Sequence, residues 1–345
     1  MLDITCMKPA YMLAEIGVNH GGSLDLALEM IKTASIAGAS GVKFQCYEAD
    51  KLAAQHSPAY WDTDKESERT QYSLFKRLEQ NDLDFYKPLI EACKKYHLDF
   101  VVTCFDPDLI DTFDPYVPFH KISSSDITNL PLIDHIIEKN KPIVLSTGAS
   151  TIDEIDYTVN HIIKNTKIHL TVLHCVLNYP CEIDNANISM VSTLKDHFAD
   201  QNISIGYSCH VPVPEGFDCI LAAITSGAVF IEKHFTTSRI KAGNDHYHAM
   251  TAEDLLELRI REKKLIKLLG EGIPDLKSQE MARLHARRGL YAAKAIPAGT
   301  RLEGHHIAIL RPTNSLLPIH IDNVLGKSTI VDLIKGDSLS MEVIE

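Results

Sequence analysis

Eight short apolar runs, most followed by a stretch with helical spacing, constrain this chain more than any other feature. They are MLAEIG (12–17), GVKFQ (41–45), DFVVTCF (99–105), FHKISS (119–124), PIVLSTG (142–148), HLTVLHC (169–175), SIGYS (204–208) and VFIEKHF (229–235). Between them lie amphipathic segments such as LDLALEMIKTASIAGA (24–39), FYKPLIEACKKY (85–96) and TIDEIDYTVNHIIKN (151–165). Continuous apolar strands alternating with amphipathic helices predict a parallel sheet covered by helices. Eight such units favour a closed (β/α)8 TIM barrel over an open doubly wound sheet. No GxGxxG follows the first strand, which counts against a dinucleotide-binding fold.

The barrel is expected over residues 1–270, with a polar linker over 271–285. A small β-rich domain is expected over 286–345, where RRGLYAAKAIPAGTRLEGHHIAILRPTNSLLP (287–318) reads as short strands between Pro and Gly turns. A unit of that size is marginal alone and is expected to dock on a barrel. The long connection between the second and third strands carries AYWDTDKESERTQYSLF (59–75), a candidate substrate wall on the catalytic face. The formal charge of −12 argues against a nucleic-acid partner. No apolar stretch approaches a membrane span and no signal-peptide core precedes the first strand, so a cytoplasmic protein is expected. Its eight cysteines lack CxxC spacing, a pattern of reduced, mostly buried thiols.

Reactive groups of such barrels sit at the C-terminal ends of the strands, and the polar residues that interrupt these runs fall mostly there. They are Glu15, Lys43 and Gln45, Thr103, then Lys121, Ser124 and Asp126, then Ser146, Tyr179, Ser208 with His210, and His234. The last two strands are neighbours in a barrel, which brings His210 and His234 side by side. Two neutral imidazoles there can bind one divalent metal, or each can simply satisfy a backbone carbonyl. Lys43 and Lys121 lie in otherwise apolar strands, where an ammonium must be paired or bind an anion. With Thr103, Ser124, Ser146 and Ser208 they form a phosphate or carboxylate site; the alternative is pairing with Glu15 and Glu232. Glu15 is either a general acid/base or a structural partner of a lysine. Cys209 adjoins His210 but must point to the opposite side of its strand, which makes it a small buried thiol rather than a nucleophile. HYH (246–248) has the form of a hydrolase metal motif, but it lies in a loop after the last strand. A metal-dependent hydrolase barrel is expected to carry HxH at the end of strand 1, where this chain has Glu15.

Taken together, AEIGVNHGG (14–22), GVKFQ (41–45), KISSSDITNLPL (121–132), LSTGAS (145–150), HCVLNYP (174–180), GYSCH (206–210), IEKHFT (231–236) and GNDH (243–246) resemble the sialic acid synthase family. Those are phosphoenolpyruvate-condensing (β/α)8 enzymes that make nine-carbon α-keto acids. The segment ARRGLYAAKAIPAG…LRPTNSLLP is similar to the antifreeze-like (SAF) domain that ends those synthases.

The resemblance implies a nonulosonic acid synthase. It would join phosphoenolpyruvate to an N-acylated hexosamine, either N-acetylmannosamine or a 2,4-diacetamido-dideoxy hexose, with C–O cleavage and release of phosphate. It places phosphoenolpyruvate on Lys43, Thr103, Lys121, Ser124, Ser146 and Ser208, and the sugar on Gln45, Asp126, Tyr179, Asp245 and Arg311. Glu15 is its proton-handling glutamate. His210 and His234 are its metal pair, usually for Mn2+, with Mg2+ or Co2+ as alternatives. The family's assembly is a domain-swapped homodimer, in which Arg311 reaches across to the other barrel. Cys209 departs from the family's usual acidic residue before the metal histidine, and Leu177 from its usual polar residue. Competing readings are a metal-dependent TIM-barrel hydrolase and a catalytically silent sugar-binding relative.

Overall fold

The computed structural model describes residues 8–241, 243, 245–313 and 316–345. Eight parallel strands alternate with helices: β1 (Tyr11–Gly17), β2 (Gly41–Cys46), β3 (Asp99–Cys104), β4 (His120–Ile122), β5 (Ile143–Ser146), β6 (Leu170–Cys175), β7 (Ile203–Cys209) and β8 (Phe230–His234). β1 pairs with both β2 and β8, so the first and last strands join. The hydrogen-bonded order runs β3-β2-β1-β8-β7-β6-β5-β4, and β3 packs beside β4 to complete the barrel. This is the expected TIM barrel. Among the described residues no helix is long and apolar enough to cross a membrane, and the seven described cysteines are unpaired and buried.

Period-two alternation divides the strand side chains between two cores. Met12, Ala14 and Ile16 of β1 face the helices, with Val42 and Phe44 of β2 and Ile231 of β8. A smaller apolar plug fills the lower barrel interior, made by Leu13, Val101, Phe119, Val144, Leu173 and Phe230. One step further along each of those strands the inward residue becomes polar or a thiol: Glu15, Thr103, Lys121, Ser146, Cys175 and Glu232. The chain thus builds an apolar floor and a polar mouth from the same strands. Helices are fixed at their starts by side-chain caps, as in the Thr151/Glu154 capping box before helix Ile152–Asn165.

Residues from Glu271 onward form a separate compact unit. It holds an antiparallel pair, β9 (Gly289–Ala292) and β10 (Ile307–Leu310). Its own core includes Leu290, Ile296, Leu302, Val324, Leu333 and Leu339. Arg311 follows β10 in this unit, and Asn314 of the RPTN motif lies outside the described residues.

Gly206 of β7 shows how tightly the floor is packed, because a Cβ there would strike both Leu173 Cδ2 and the Phe230 carbonyl oxygen. Gly206→Ala is expected to lower the unfolding free energy by roughly 1–3 kcal/mol, since the backbone oxygen cannot rotate away. Urea unfolding measures this, and a change within about 0.5 kcal/mol would contradict the packing described.

Candidate active site

The alternation that makes the floor also decides which groups reach the mouth. In β8, Glu232 and His234 line the interior cavity, while Lys233 faces the helix layer and donates to the Val211 carbonyl at 2.5 Å. Cys209 likewise turns outward, its thiol lying 3.8 Å from the Val211 oxygen. Gly17 ends β1 with a left-handed φ of 55°. A Cβ at that position would sit 3.1 Å from Glu15 Oε1, so the glycine leaves room for the carboxylate.

A cavity occupies the mouth. Lys43, Lys121, Thr103, Ser124, Ser146 and Ser208 all line it, with Glu15, Gln45, His210, Glu232 and His234. Lys43 Nζ lies 2.6 Å from Glu15 Oε2 and 4.0 Å from Glu232 Oε1, and 3.3 Å from Thr103 Oγ1. Lys121 Nζ bonds Ser146 Oγ at 2.7 Å and the Ile122 carbonyl at 3.1 Å, and stands 3.8 Å from Glu232 Oε2. Ser208 donates to Glu232 Oε1 at 3.3 Å, and Gln45 Nε2 donates to Glu15 Oε1 at 2.8 Å. Two buried cations therefore share two buried carboxylates, and the cations are ringed by hydroxyls. Such a site can exchange its internal carboxylate contacts for an incoming anion.

One corner of the mouth is imidazole-rich. The His210 and His234 rings lie 5.3 Å apart, and His248 lies 4.8 Å from His234. His210 Nδ1 donates to the Val176 carbonyl at 2.7 Å, which leaves the Nε2 lone pair for a ligand. His234 Nδ1 is buried without a hydrogen-bond partner. Ligand atoms of His234, Asp245 and His248 all fall within 4.8 Å of one another. These donors fit a divalent ion of the borderline type.

A larger cavity adjoins the first and shares Gln45, Leu177, Tyr179 and His234 with it. Its wall comes from the long connection, including Tyr60, Trp61, Leu74 and Phe75, and Asp245 also lines it. Asp126 lines neither cavity; its carboxylate accepts from Asn129 at 3.0 Å and from Ser125 at 3.3 Å. Arg311 belongs to the C-terminal unit.

Glu232, expected only as a partner for the lysines, and His248 were not among the expected site residues. Glu232 was legible as the period-two position between Phe230 and His234. His248 was visible only as the end of HYH. His248 lines neither cavity; what brings it beside His234 is a strand-like bridge, in which Met250 N donates to the His234 carbonyl and Thr236 N to the Met250 carbonyl, each at 2.8 Å.

The NeuB family model matches residues 30–274, and the SAF domain model matches residues 287–345. The chain belongs to the NeuB family. It is 34% identical over 328 residues to N,N'-diacetyllegionaminic acid synthase of Campylobacter jejuni, covering 93% of this chain and 96% of that one. It is 31% identical to the protein of the same name from Legionella pneumophila, covering 99% and 96%. Among solved structures, the N-acetylneuraminic acid (sialic acid) synthetase of Leptospira borgpetersenii superposes with a TM-score of 0.68 at 31% identity, covering 79% of this chain and 90% of that one.

Burial sets the electrostatics of this NeuB-family mouth. It pushes the Glu15 carboxyl up, and the balance stays raised although Lys43 pulls the other way. Burial opposes the charge on Lys43, but Glu15 and Glu232 hold its pKa above the usual value. Lys121 is lowered by burial against the pull of Glu232. Burial also acts against Glu232, yet Lys121 and Lys43 outweigh it and keep its carboxyl below the usual range. Burial brings His210 down to about 4 and His234 well below its ordinary value. Both rings are therefore neutral at pH 7, the state in which imidazole binds metal. Burial, with Glu15 nearby, pushes Asp245 up to about 7.

Glu232→Gln strands the Lys121 ammonium, and the expected loss of unfolding free energy at pH 7 is about 3–5 kcal/mol. The folded pKa of Glu232 is depressed. Its contribution is thus complete above the unfolded value of about 4.3 and lost as pH falls through the folded value. Urea unfolding across pH 3–7 is expected to show a shallower acid loss in the variant. Equal stability at pH 7 with an unchanged acid profile would contradict the pairing.

Proposed function

We propose that this chain is a nonulosonic acid synthase that condenses phosphoenolpyruvate with a 2,4-diacetamido-dideoxy hexose. The observation that carries the reading is the pair of buried lysines, Lys43 and Lys121, facing one hydroxyl-lined cavity with His210 and His234 at its edge. Phosphoenolpyruvate is a small trianion, and two ammonium groups with Thr103, Ser124, Ser146 and Ser208 match its phosphate and carboxylate. The names of the relatives support the same reaction class, and the two diacetyllegionaminic acid synthases favour a diacetamido acceptor over N-acetylmannosamine. The larger cavity agrees, because its aromatic wall suits acetamido methyl groups. Arg77 is its one guanidinium or ammonium among the described lining residues. That group is already held by Glu66 at 2.7 Å and Glu68 at 3.3 Å, which favours an unphosphorylated sugar.

His210 and His234 would hold the divalent ion, with Mn2+ preferred and Mg2+ or Co2+ as alternatives. Such an ion supplies Lewis-acid polarisation of the sugar's aldehyde oxygen. The lysines and hydroxyls orient phosphoenolpyruvate so that C3 faces the aldehyde carbon. A C–C bond forms between them, the aldehyde oxygen takes a proton, and C2 becomes an oxocarbenium centre. Water adds to C2 and gives up a proton. The C2–O bond then breaks, phosphate leaves with the bridging oxygen, and C2 becomes a ketone. Glu15, buried and oriented by Gln45, holds and moves the proton. Gln45, Tyr179 and Asp245 bind the sugar, with Arg311 of the partner subunit in a domain-swapped homodimer. The reaction takes place in the cytoplasm.

With Mn2+ and a panel of acylated hexosamines, phosphate release from phosphoenolpyruvate is expected only with the diacetamido sugar. Lys121→Ala and His234→Ala are each expected to lose at least a hundredfold in rate. Release independent of sugar would indicate a hydrolase instead, and no release with any sugar would indicate a silent relative. The swap has its own check. Lys121→Ala and Arg311→Ala, each inactive alone, are expected to regain activity when co-expressed, since a mixed dimer holds one intact site. No recovery in verified mixed dimers would exclude the exchange.

A further inference from the structure

The corner of the mouth nearest β8 holds more metal donors than the proposed reaction requires. His248 is fully buried, its ring 4.8 Å from that of His234 and 6.0 Å from that of His210. Tyr179 packs against all three imidazoles, with ring separations of 4.2 Å to His210, 5.8 Å to His234 and 5.5 Å to His248. Donor atoms of His248, His234 and Asp245 converge within 4.8 Å. His234 Nδ1 is buried in the same corner with no hydrogen bond; Asp245 Oδ2 stands 3.9 Å from it, too far to satisfy it, which is the mark of a donor whose natural partner is a ligand.

The loop that carries His248 is tied down rather than merely nearby. Phe235 and Met250 form a bridge just beyond β8. His246 Nδ1 and Thr236 Oγ1 are bonded at 2.8 Å. Asn19 Nδ2 donates to the Phe235 carbonyl at 3.0 Å and to the Asp245 carbonyl at 3.4 Å. Three anchors on both sides of His248 thus hold Asp245 and His248 over His234. Such anchoring is the arrangement that orients metal ligands.

We propose that His248 is a third imidazole ligand of the divalent ion, added to His210 and His234, and that Asp245 completes the set with one carboxylate oxygen. The inference rests on the reading of this corner as a divalent-ion site and deepens it. A monodentate carboxylate keeps its second oxygen for the sugar, so both roles of Asp245 are compatible. Compared with a two-histidine site, a third nitrogen donor strengthens binding of Co2+, Fe2+ or Zn2+ more than that of the harder Mn2+ and Mg2+, because imidazole favours the former and oxygen donors the latter. His248 is thereby a residue that selects the metal.

The test uses the full-length protein loaded with Co2+, read by X-ray absorption, visible absorption and equilibrium dialysis rather than turnover. The wild type is expected to show three coordinated imidazoles. His248→Ala and the more conservative His248→Asn, each checked for native circular dichroism, are expected to show two. Both are expected to bind Co2+ at least about tenfold more weakly, with a smaller loss for Mn2+. His210→Ala, run beside them, separates this inference from the one it rests on. Two imidazoles in the wild type, or an unchanged spectrum and affinity in His248→Ala while His210→Ala loses both, would overturn the role of His248 alone. A wild type that takes up no Co2+ would overturn both readings of the corner.

Discussion

Everything at the mouth of this barrel depends on how four buried charges share one small space. Lys43 and Lys121 enter on different strands, and Glu15 and Glu232 on two others. Each side chain is at most 8% exposed. None of these ions is tolerable alone at such a depth. Together they form a poised set in which Lys43 is tightly bound to Glu15, while Lys121 has only a longer contact with Glu232. An arriving phosphate and carboxylate can take over the less satisfied ammonium and the hydroxyls beside it. The four formal charges sum to zero, so what the set offers an incoming trianion is ammonium and hydroxyl donors already in place rather than a net positive field.

The fold was legible because its signal is repeated eight times and each repeat is nearly unambiguous. Period two then said more than strand positions did. Leu13 and Glu15, or Phe230, Glu232 and His234, had to share a face, and that face is the barrel interior. The same rule turns Cys209 away from His210, and its thiol faces the Val211 oxygen. The two alternatives for the lysines proved to be one arrangement: they are paired with Glu15 and Glu232, and they also line a hydroxyl-rich cavity open to an anion.

What stayed hidden lies where no periodicity operates. His248 follows the last strand by fourteen residues and comes to lie beside His234 because Met250 docks on β8. No local pattern announces that docking. Asp126 is the converse case: its place just after β4 suggested the cavity, but a 3₁₀ turn over Ser124–Asp126 lets Asn129 and Ser125 hold its carboxylate. Leu177, a departure from the family's usual polar residue, lines both cavities. It adds apolar surface where the two cavities meet.

The central claim is that the mouth joins phosphoenolpyruvate to a sugar by breaking the C–O bond, and the fate of one oxygen tests it most directly. Phosphoenolpyruvate labelled with 18O at the bridging position, incubated with the enzyme, a divalent ion and the diacetamido hexose, is expected to deliver the label to inorganic phosphate. Recovery of the label in the organic product, with unlabelled phosphate, would mean P–O cleavage and would contradict the account.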